Sequence, residues 1–361
     1  MVNWLLAFIP VALVLEHMGA NPIAVFLTSA AAVVPLAKLM EQATEAMAHY
    51  LGPTYGGLLS ATMGNAPELI IGITALRHGL IEVVKGSIAG SIIGTLLFGI
   101  GVTIVAGSRR RPVQHFDRDM VAVNGSLLML GAFGLVIPAS FHFTTSTDRS
   151  ISIEISIVLL LIYVAGMVYT MTASKSTTDK ALVAELQQQG QAPPALLCAT
   201  ESPPEWSRNV ALAVLAVVAV TLAVVSDTLT GSLQAAADAI GLTPIFAGVF
   251  VLAMVGNIPQ YMNSAAFAAK DNMTLALSIN LGATTQLVAL VAPLLVLAGL
   301  VMGVDMNLHF PGFEVLGVVL SVIIARSVIG DASSNWLEGA MLIGVYLMLG
   351  FGFFHMPANP P

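Results

Sequence analysis

The sequence predicts an all-α polytopic membrane protein of about eleven transmembrane helices, one helix followed by two inverted five-helix repeats. Three observations carry that expectation. Charged residues make up 9% of the 361 positions and hydrophobic residues 57%, with a mean hydropathy of +0.89. A soluble domain has about a quarter of its residues charged, so this chain has too few charges to cover a surface in water. Apolar runs of bilayer length recur about eleven times. Finally, one phrase occurs twice, 192 residues apart: Gly64-Asn65-Ala66-Pro67-Glu68 and Gly256-Asn257-Ile258-Pro259-Gln260. Recurrence at a fixed distance marks an internal duplication.

In chain order, the first run, 2–18, lacks a basic leader and an A-x-A cleavage site, so it reads as a helix rather than a signal peptide. The second, 21–49, begins apolar at Pro22 and turns amphipathic from Lys38 to His49, which places its tail at the interface. Runs 54–77 and 243–269 carry the two copies of the phrase, and 80–107 and 273–302 follow them with polar and small residues. Runs 118–139 and 150–172 complete the first half. Run 207–229 ends near Asp227, and 312–330 and 335–356 are set apart by the turn signals Phe310-Pro311-Gly312 and Gly330-Asp331-Ala332. Residues 1–20 are thus the first transmembrane helix, 21–172 one repeat, 173–206 a cytoplasmic linker and 207–361 the other repeat. The linker holds Gln187-Gln188-Gln189-Gly190, Pro193-Pro194 and Pro203-Pro204, with one short helix expected near Ala181–Gln189.

Lys38, Arg109, Arg110, Arg111, Arg118, Lys175, Lys180, Arg208, Lys270 and Arg326 fall on the side of the N-terminus. Arg77, Lys85 and Arg149 fall on the other. The positive-inside rule makes the first side cytoplasmic, so the C-terminus is expected outside, in a bacterial-type cytoplasmic membrane. About five helices per half then insert the halves in opposite senses. A net charge of −7 argues against nucleic acid as partner, and the single cysteine, Cys198, excludes an internal disulfide. No G-x-x-x-x-G-K-[ST] loop and no hydrolase-type nucleophile arrangement occurs, so neither an ATP-driven pump nor an enzyme is expected, and no cofactor.

The chemistry concentrates at the two phrases. Proline removes a backbone donor and glycine loosens the turn before it, so each copy is expected to break its helix. In lipid such a break is tolerated only where the freed backbone faces protein or a water-filled cavity. Glu68 is followed by Leu69, Ile70 and Ile71. An acid inside an apolar run is a functional candidate, the plainer reading being a helix end reaching water. Asn65 and Glu68, like Asn257 and Gln260, are three apart and share a helix face. Their oxygens suit a hard cation, while interhelical hydrogen bonding would also account for either asparagine. Gly64, Pro67, Gly256 and Pro259 form the breaks. Thr95 and Gln286 are expected to support the site from the next helix of each half. The small residues around them (Gly86-Ser87, Gly90-Ser91, Gly94, Gly282) read first as close packing. Asp227 and Glu314 are read as interfacial, and Glu41 and Glu45 as a solvated face with a lesser chance of drawing cations to the mouth.

At these residues the chain resembles the Ca2+/H+ exchanger (cation/proton antiporter) family of the Ca2+/cation antiporter superfamily. The matching stretches are Pro35-Leu36-Ala37-Lys38, Leu51-Gly52-Pro53-Thr54, Gly64 to Glu68, Gly90-Ser91-Ile92, Lys270-Asp271-Asn272-Met273, Thr285-Gln286 and Ser334-Asn335-Trp336-Leu337-Glu338-Gly339. The resemblance implies one helix plus two inverted repeats, a midplane site and Ca2+ export against H+ influx by alternating access. It makes Glu68 the carrier of ion and proton, and Asn65 and Asn257 its ligands. The chain departs from the family at Gln260, where glutamate is usual, at Tyr261, where histidine is, and at Thr95, where asparagine is. Its linker is not strongly acidic. One glutamate leaves a bound Ca2+ with about one uncompensated charge, and glutamine carries no proton. If Ca2+ is retained as cargo, Asp227 or water is expected to supplement the site. Two alternatives stay open: a monovalent cation/H+ antiporter, and a membrane protein that binds cations without transporting them.

Overall fold

A computed structural model describes residues 3–109, 111–141, 148–173 and 206–356. The helix expected near 181–189, with the rest of linker residues 174–205 and Cys198 among them, lies outside the described residues. Eleven helices are described: α1 (Phe8–His17, after a 3-10 turn over Asn3–Ala7), α2 (Pro22–Met63), α3 (Ala66–Arg77), α4 (Ile81–Gly107), α5 (Arg118–Phe141), α6 (Asp148–Ala173), α7 (Arg208–Ile240), α8 (Pro244–Ala269), α9 (Met273–Met302), α10 (Gly312–Ile329) and α11 (Trp336–Phe354). Among the described residues, nine helices are long and apolar enough to cross a membrane.

Several expected boundaries move. The first apolar helix, Trp4–His17, is shorter than a bilayer-length span. Helix α2 continues to Met63, so the run expected over 54–77 is made from the end of α2 and the short α3. A Cβ on Gly56 would collide with the Ala48 carbonyl eight residues earlier, which a straight helix would hold about 12 Å away. The element therefore bends sharply between Ala48 and Gly56, where the hairpin between two runs was expected. Helix α7 continues past Asp227 to Ile240. Two of its hydroxyls return to the helix, Thr230 Oγ1 donating to Ser226 O at 2.8 Å and Ser232 Oγ to Thr228 O at 2.9 Å. Thr228 Oγ1 also donates to Glu16 Oε2 at 2.7 Å, tying α1 to α7. Glu314 is not interfacial: it is 0% exposed, with neither carboxylate oxygen hydrogen-bonded. A short antiparallel pair, β1 (Val113–His115) with β2 (Ser333–Asn335), joins the loops after α4 and before α11.

Lipid is as apolar as a leucine side chain, so helix association here depends on close fit. The α4–α8 crossing shows it. A Cβ on Gly90 would stand 2.6 Å from Val249 Cα and overlap the Val249 carbonyl, and one on Gly248 would stand 2.7 Å from Val83 O. Helices α2 and α7 share a second packed layer through Phe26, Val33, Leu36, Leu222, Val225 and Leu229.

Local geometry repeats at the same distance as the phrase. Gly79 follows α3 with φ +73, and Asp271 follows α8 with φ +69, at positions 192 apart. The turns bond alike: Leu80 N to Ala75 O and Asn272 N to Phe267 O, each 3.0 Å. Asp271 adopts a conformation that usually favours glycine, and its carboxylate forms a 2.6 Å ion pair with Arg111. Widened π-helical turns at Gly94–Gly99 and Leu287–Val291 also fall at nearly matching places. Pro293, just after the second, lacks an N–H to give to Ala289.

Candidate functional site

The first phrase breaks its helix as expected. Gly64 and Asn65 form a turn after α2, and Asn65 caps α3 with φ −109 and ψ 22. Pro67 enters in the first turn of α3, where its missing N–H costs least, and Glu68 follows in the same turn. The second phrase does not break its helix. Gly256, Asn257, Pro259 and Gln260 lie in an unbroken stretch of α8, Ala253–Ala269. The irregularity sits earlier, as a π-helical turn over Ala247–Leu252. Gly248 and Val249 in that turn meet α4 at the close crossing, so the helix deforms where backbone meets backbone rather than at its proline.

The two asparagines reach across in a reciprocal pattern. Asn65 Nδ2 donates to Ala283 O on α9 at 3.0 Å, and Asn257 Nδ2 donates to Ser91 Oγ on α4 at 2.8 Å. Positions 65 and 257 differ by 192, and so do 91 and 283. Both asparagines are 3% exposed. Gln286 Oε1 lies 3.5 Å from Asn65 Nδ2, and a Cβ on Gly64 would stand 3.4 Å from it. Thr95 Oγ1 reaches Asn257 Oδ1 at 3.5 Å. Thr95 and Gln286 therefore both sit against the asparagine of the opposite half. Interhelical bonding and a cation-facing role are compatible, because each amide gives its nitrogen to the neighbouring helix, and the Asn257 oxygen is held only by the long 3.5 Å contact from Thr95.

Glu68 points across the same gap. Its Oε1 would be 3.6 Å from a Cβ on Gly256, and its Oε2 is fully buried with no hydrogen-bond partner. A carboxylate at a helix N-terminus gains about 0.3–1 kcal/mol from the helix dipole. An unpaired charge out of water costs several kcal/mol. The dipole offsets only part of that cost, so a proton or a cation on Glu68 is favoured over the bare carboxylate.

Gln260 is one turn beyond Gly256 and turns toward α9, where its Nε2 donates to Asn280 Oδ1 at 3.4 Å. Asn280 Nδ2 continues to Thr103 Oγ1, and Thr103 Oγ1 to Ser264 Oγ, each at 3.0 Å. Thr103 and Ser264 carry no signal in the sequence, since a lone hydroxyl in an apolar helix usually bonds its own backbone. Two residues at which the resemblance implied other side chains meet in space. The Tyr261 hydroxyl faces the Thr95 side chain, and the ring fits because Gly94 and Gly99 lack side chains that would stand 2.8–2.9 Å from it. Asp227 does not supplement the site. It lies 3.1 Å from His78 Nε2 and 3.8 Å from Arg77 and is 44% exposed.

Among the described residues no group of three or more His, Cys, Asp or Glu side chains is placed to hold a metal ion. The donors are one carboxylate, amides, hydroxyls and backbone carbonyls. An all-oxygen set suits Ca2+, Mg2+ or an alkali ion and not a thiolate- or imidazole-seeking metal.

Fold and site together define a helical integral membrane protein of the ion-exchanger kind, with an oxygen-lined centre beside an interrupted helix. The chain belongs to the sodium/calcium exchanger protein family, which matches residues 21–172 and 210–354. It is 38% identical to a Ca2+/H+ antiporter of Aphanothece halophytica, over 99% of this chain and 96% of that one. It is 36% identical to a Ca2+/H+ antiporter of Synechocystis, over 98% and 96%. The solved structure of the Ca2+/H+ antiporter protein YfkE superposes with a TM-score of 0.81 at 29% identity, covering 98% of each chain.

Proposed function

We propose that the chain is a secondary transporter that exchanges Ca2+ for H+ by alternating access, with Glu68 holding the proton and the cation in turn. The observation that carries this reading is Glu68, whose Oε2 is buried without a partner and whose Oε1 faces Gly256 across the gap between α3 and α8. Asn65, Asn257 and Gln260 complete the cation site in this reading, supported by Thr95, Gln286, the turn at Gly64 and the prolines 67 and 259. A proton on Glu68 removes the charge that attracts the cation, and a bound cation displaces the proton. Only one can occupy the site, so crossing of one drives crossing of the other. The reciprocal bonds of Asn65 and Asn257, the matching turns at Gly79 and Asp271 and the two-part family match support two inverted repeats around this site. The lysine and arginine distribution supports a cytoplasmic N-terminus in a bacterial-type cytoplasmic membrane. A second reading, exchange of a monovalent cation, draws on Gln260, because one carboxylate neutralises one positive charge.

The test uses purified protein in liposomes with an acidic interior. Radioactive Ca2+ should accumulate, a protonophore should abolish the accumulation, and apparent Ca2+ affinity should weaken as external pH falls. Proton efflux driven by Na+ or K+ with no Ca2+ uptake would favour the monovalent reading. Saturable Ca2+ binding without flux would overturn transport.

A further inference from the structure

An amide serves a cation only through its oxygen, so what holds the nitrogen decides whether it can be a ligand. Building on the cation site given above, we infer that Asn280 of α9 is a positioning residue that holds Gln260 by its nitrogen, turns the Gln260 oxygen to the ion and reserves position 260 for a neutral amide. Asn280 is 0% exposed. Its Nδ2 donates to Ala276 O, one turn earlier on α9, at 3.3 Å and to Thr103 Oγ1 on α4 at 3.0 Å. A carbonyl oxygen only accepts, so the amide atom beside Ala276 O is the nitrogen. Thr103 does not reverse the arrangement, because its proton goes to Gly99 O at 2.7 Å, with Ser264 Oγ 3.0 Å away. Asn280 Oδ1 is therefore the end that faces α8, where it lies 3.4 Å from the Gln260 amide. An acceptor there calls for a donor, so Gln260 presents Nε2. Gln260 Oε1 has no hydrogen-bond partner among the described residues, on a half-buried side chain one turn beyond Gly256.

The close approach depends on Gly99, since a Cβ there would stand 3.2 Å from Asn280 Oδ1. A carboxylate at 260 would set two acceptors face to face with no proton between them, in a place water does not reach. Turning the Asn280 amide over would not help, because its oxygen would then meet Ala276 O. A carboxyl group at 260 meets Asn280 well only by keeping its proton, and in that form it adds no negative charge to the site. Gln260 and Asn280 are thus a matched pair, and the charge of the site stays with Glu68. In the sequence Asn280 is one of several polar residues of α9, and only the packing of α9 against α8 pairs it with position 260.

The experiment is a double-mutant cycle of wild type, Gln260→Glu, Asn280→Ala and the double variant. Ca2+ binding is measured by titration calorimetry and Ca2+ uptake in proteoliposomes, with thermal melting to show which proteins are folded. Asn280→Ala should weaken Ca2+ binding by about threefold or more. Gln260→Glu should not tighten binding while Asn280 is present, and should tighten it by roughly tenfold or more once residue 280 is alanine. A merely structural Asn280 would shift affinity by the same factor whichever residue stood at 260. Unchanged affinity in Asn280→Ala would overturn the inference, and so would an equal effect of Gln260→Glu in the two backgrounds. Thr103→Val keeps the side-chain shape and removes the oxygen that holds Asn280 Nδ2. It should show the same coupling to Gln260→Glu more weakly, and that cycle decides the matter if Asn280→Ala does not fold. Wild type that binds Ca2+ without flux would sink the transport reading and leave the binding cycle to stand. Wild type that binds no Ca2+ would overturn both.

Discussion

Glu68→Gln is expected to abolish pH-gradient-driven Ca2+ uptake, by at least about a hundredfold, or roughly 2.7 kcal/mol of lost driving interaction. The substitution keeps the shape of the side chain and removes both its charge and its proton. Glu68 lies beside Gly256 with one oxygen buried and unpartnered, so a neutral amide there makes folding no harder. The melting temperature should be unchanged or raised while flux disappears. That split separates a transport role from a structural one. Undiminished uptake by the variant in everted vesicles would reject the role assigned to Glu68.

The second large effect concerns packing. Gly90→Ala should destabilise the protein by about 1–3 kcal/mol, the usual cost of overpacking, and lower its melting temperature in detergent. A Cβ at Gly90 meets the Val249 backbone, which has no rotamer to change, so α4 and α8 must separate. Gly282 is the residue 192 positions later, and a Cβ there has nothing within 4 Å. Gly282→Ala should be neutral or stabilising, by up to about 1 kcal/mol from helix propensity. Equal effects at the two glycines would show that the α4–α8 contact is not as close as described.

This contrast shows where sequence reading stops. The duplicated phrase makes positions 90 and 282 equivalent, yet only one of them touches backbone. The apolar runs were legible because hydropathy sets where helices lie, and Glu68, Asn65 and Asn257 stood out as candidates because polar groups in lipid need a reason. The continuation of α7 past Asp227 was not legible. Thr230 and Ser232 satisfy their hydroxyls on their own helix, and Asp227 finds His78 from another one. The unbroken α8 was misread because proline and glycine mark a weak point in a helix, while neighbouring backbones decide where it yields. Glu314 was misread for a related reason: its place near a helix start suggested water, and only packing shows it at 0% exposure.

The most direct measurement is proton release on Ca2+ binding, followed with a pH indicator in weakly buffered, detergent-solubilised protein. Wild type should release protons in proportion to bound Ca2+, with more released at a pH where Glu68 starts protonated, and Glu68→Gln should release markedly fewer. Equal release from the two proteins, or Ca2+ binding by wild type with no proton released at any pH, would contradict a shared site for proton and cation at Glu68.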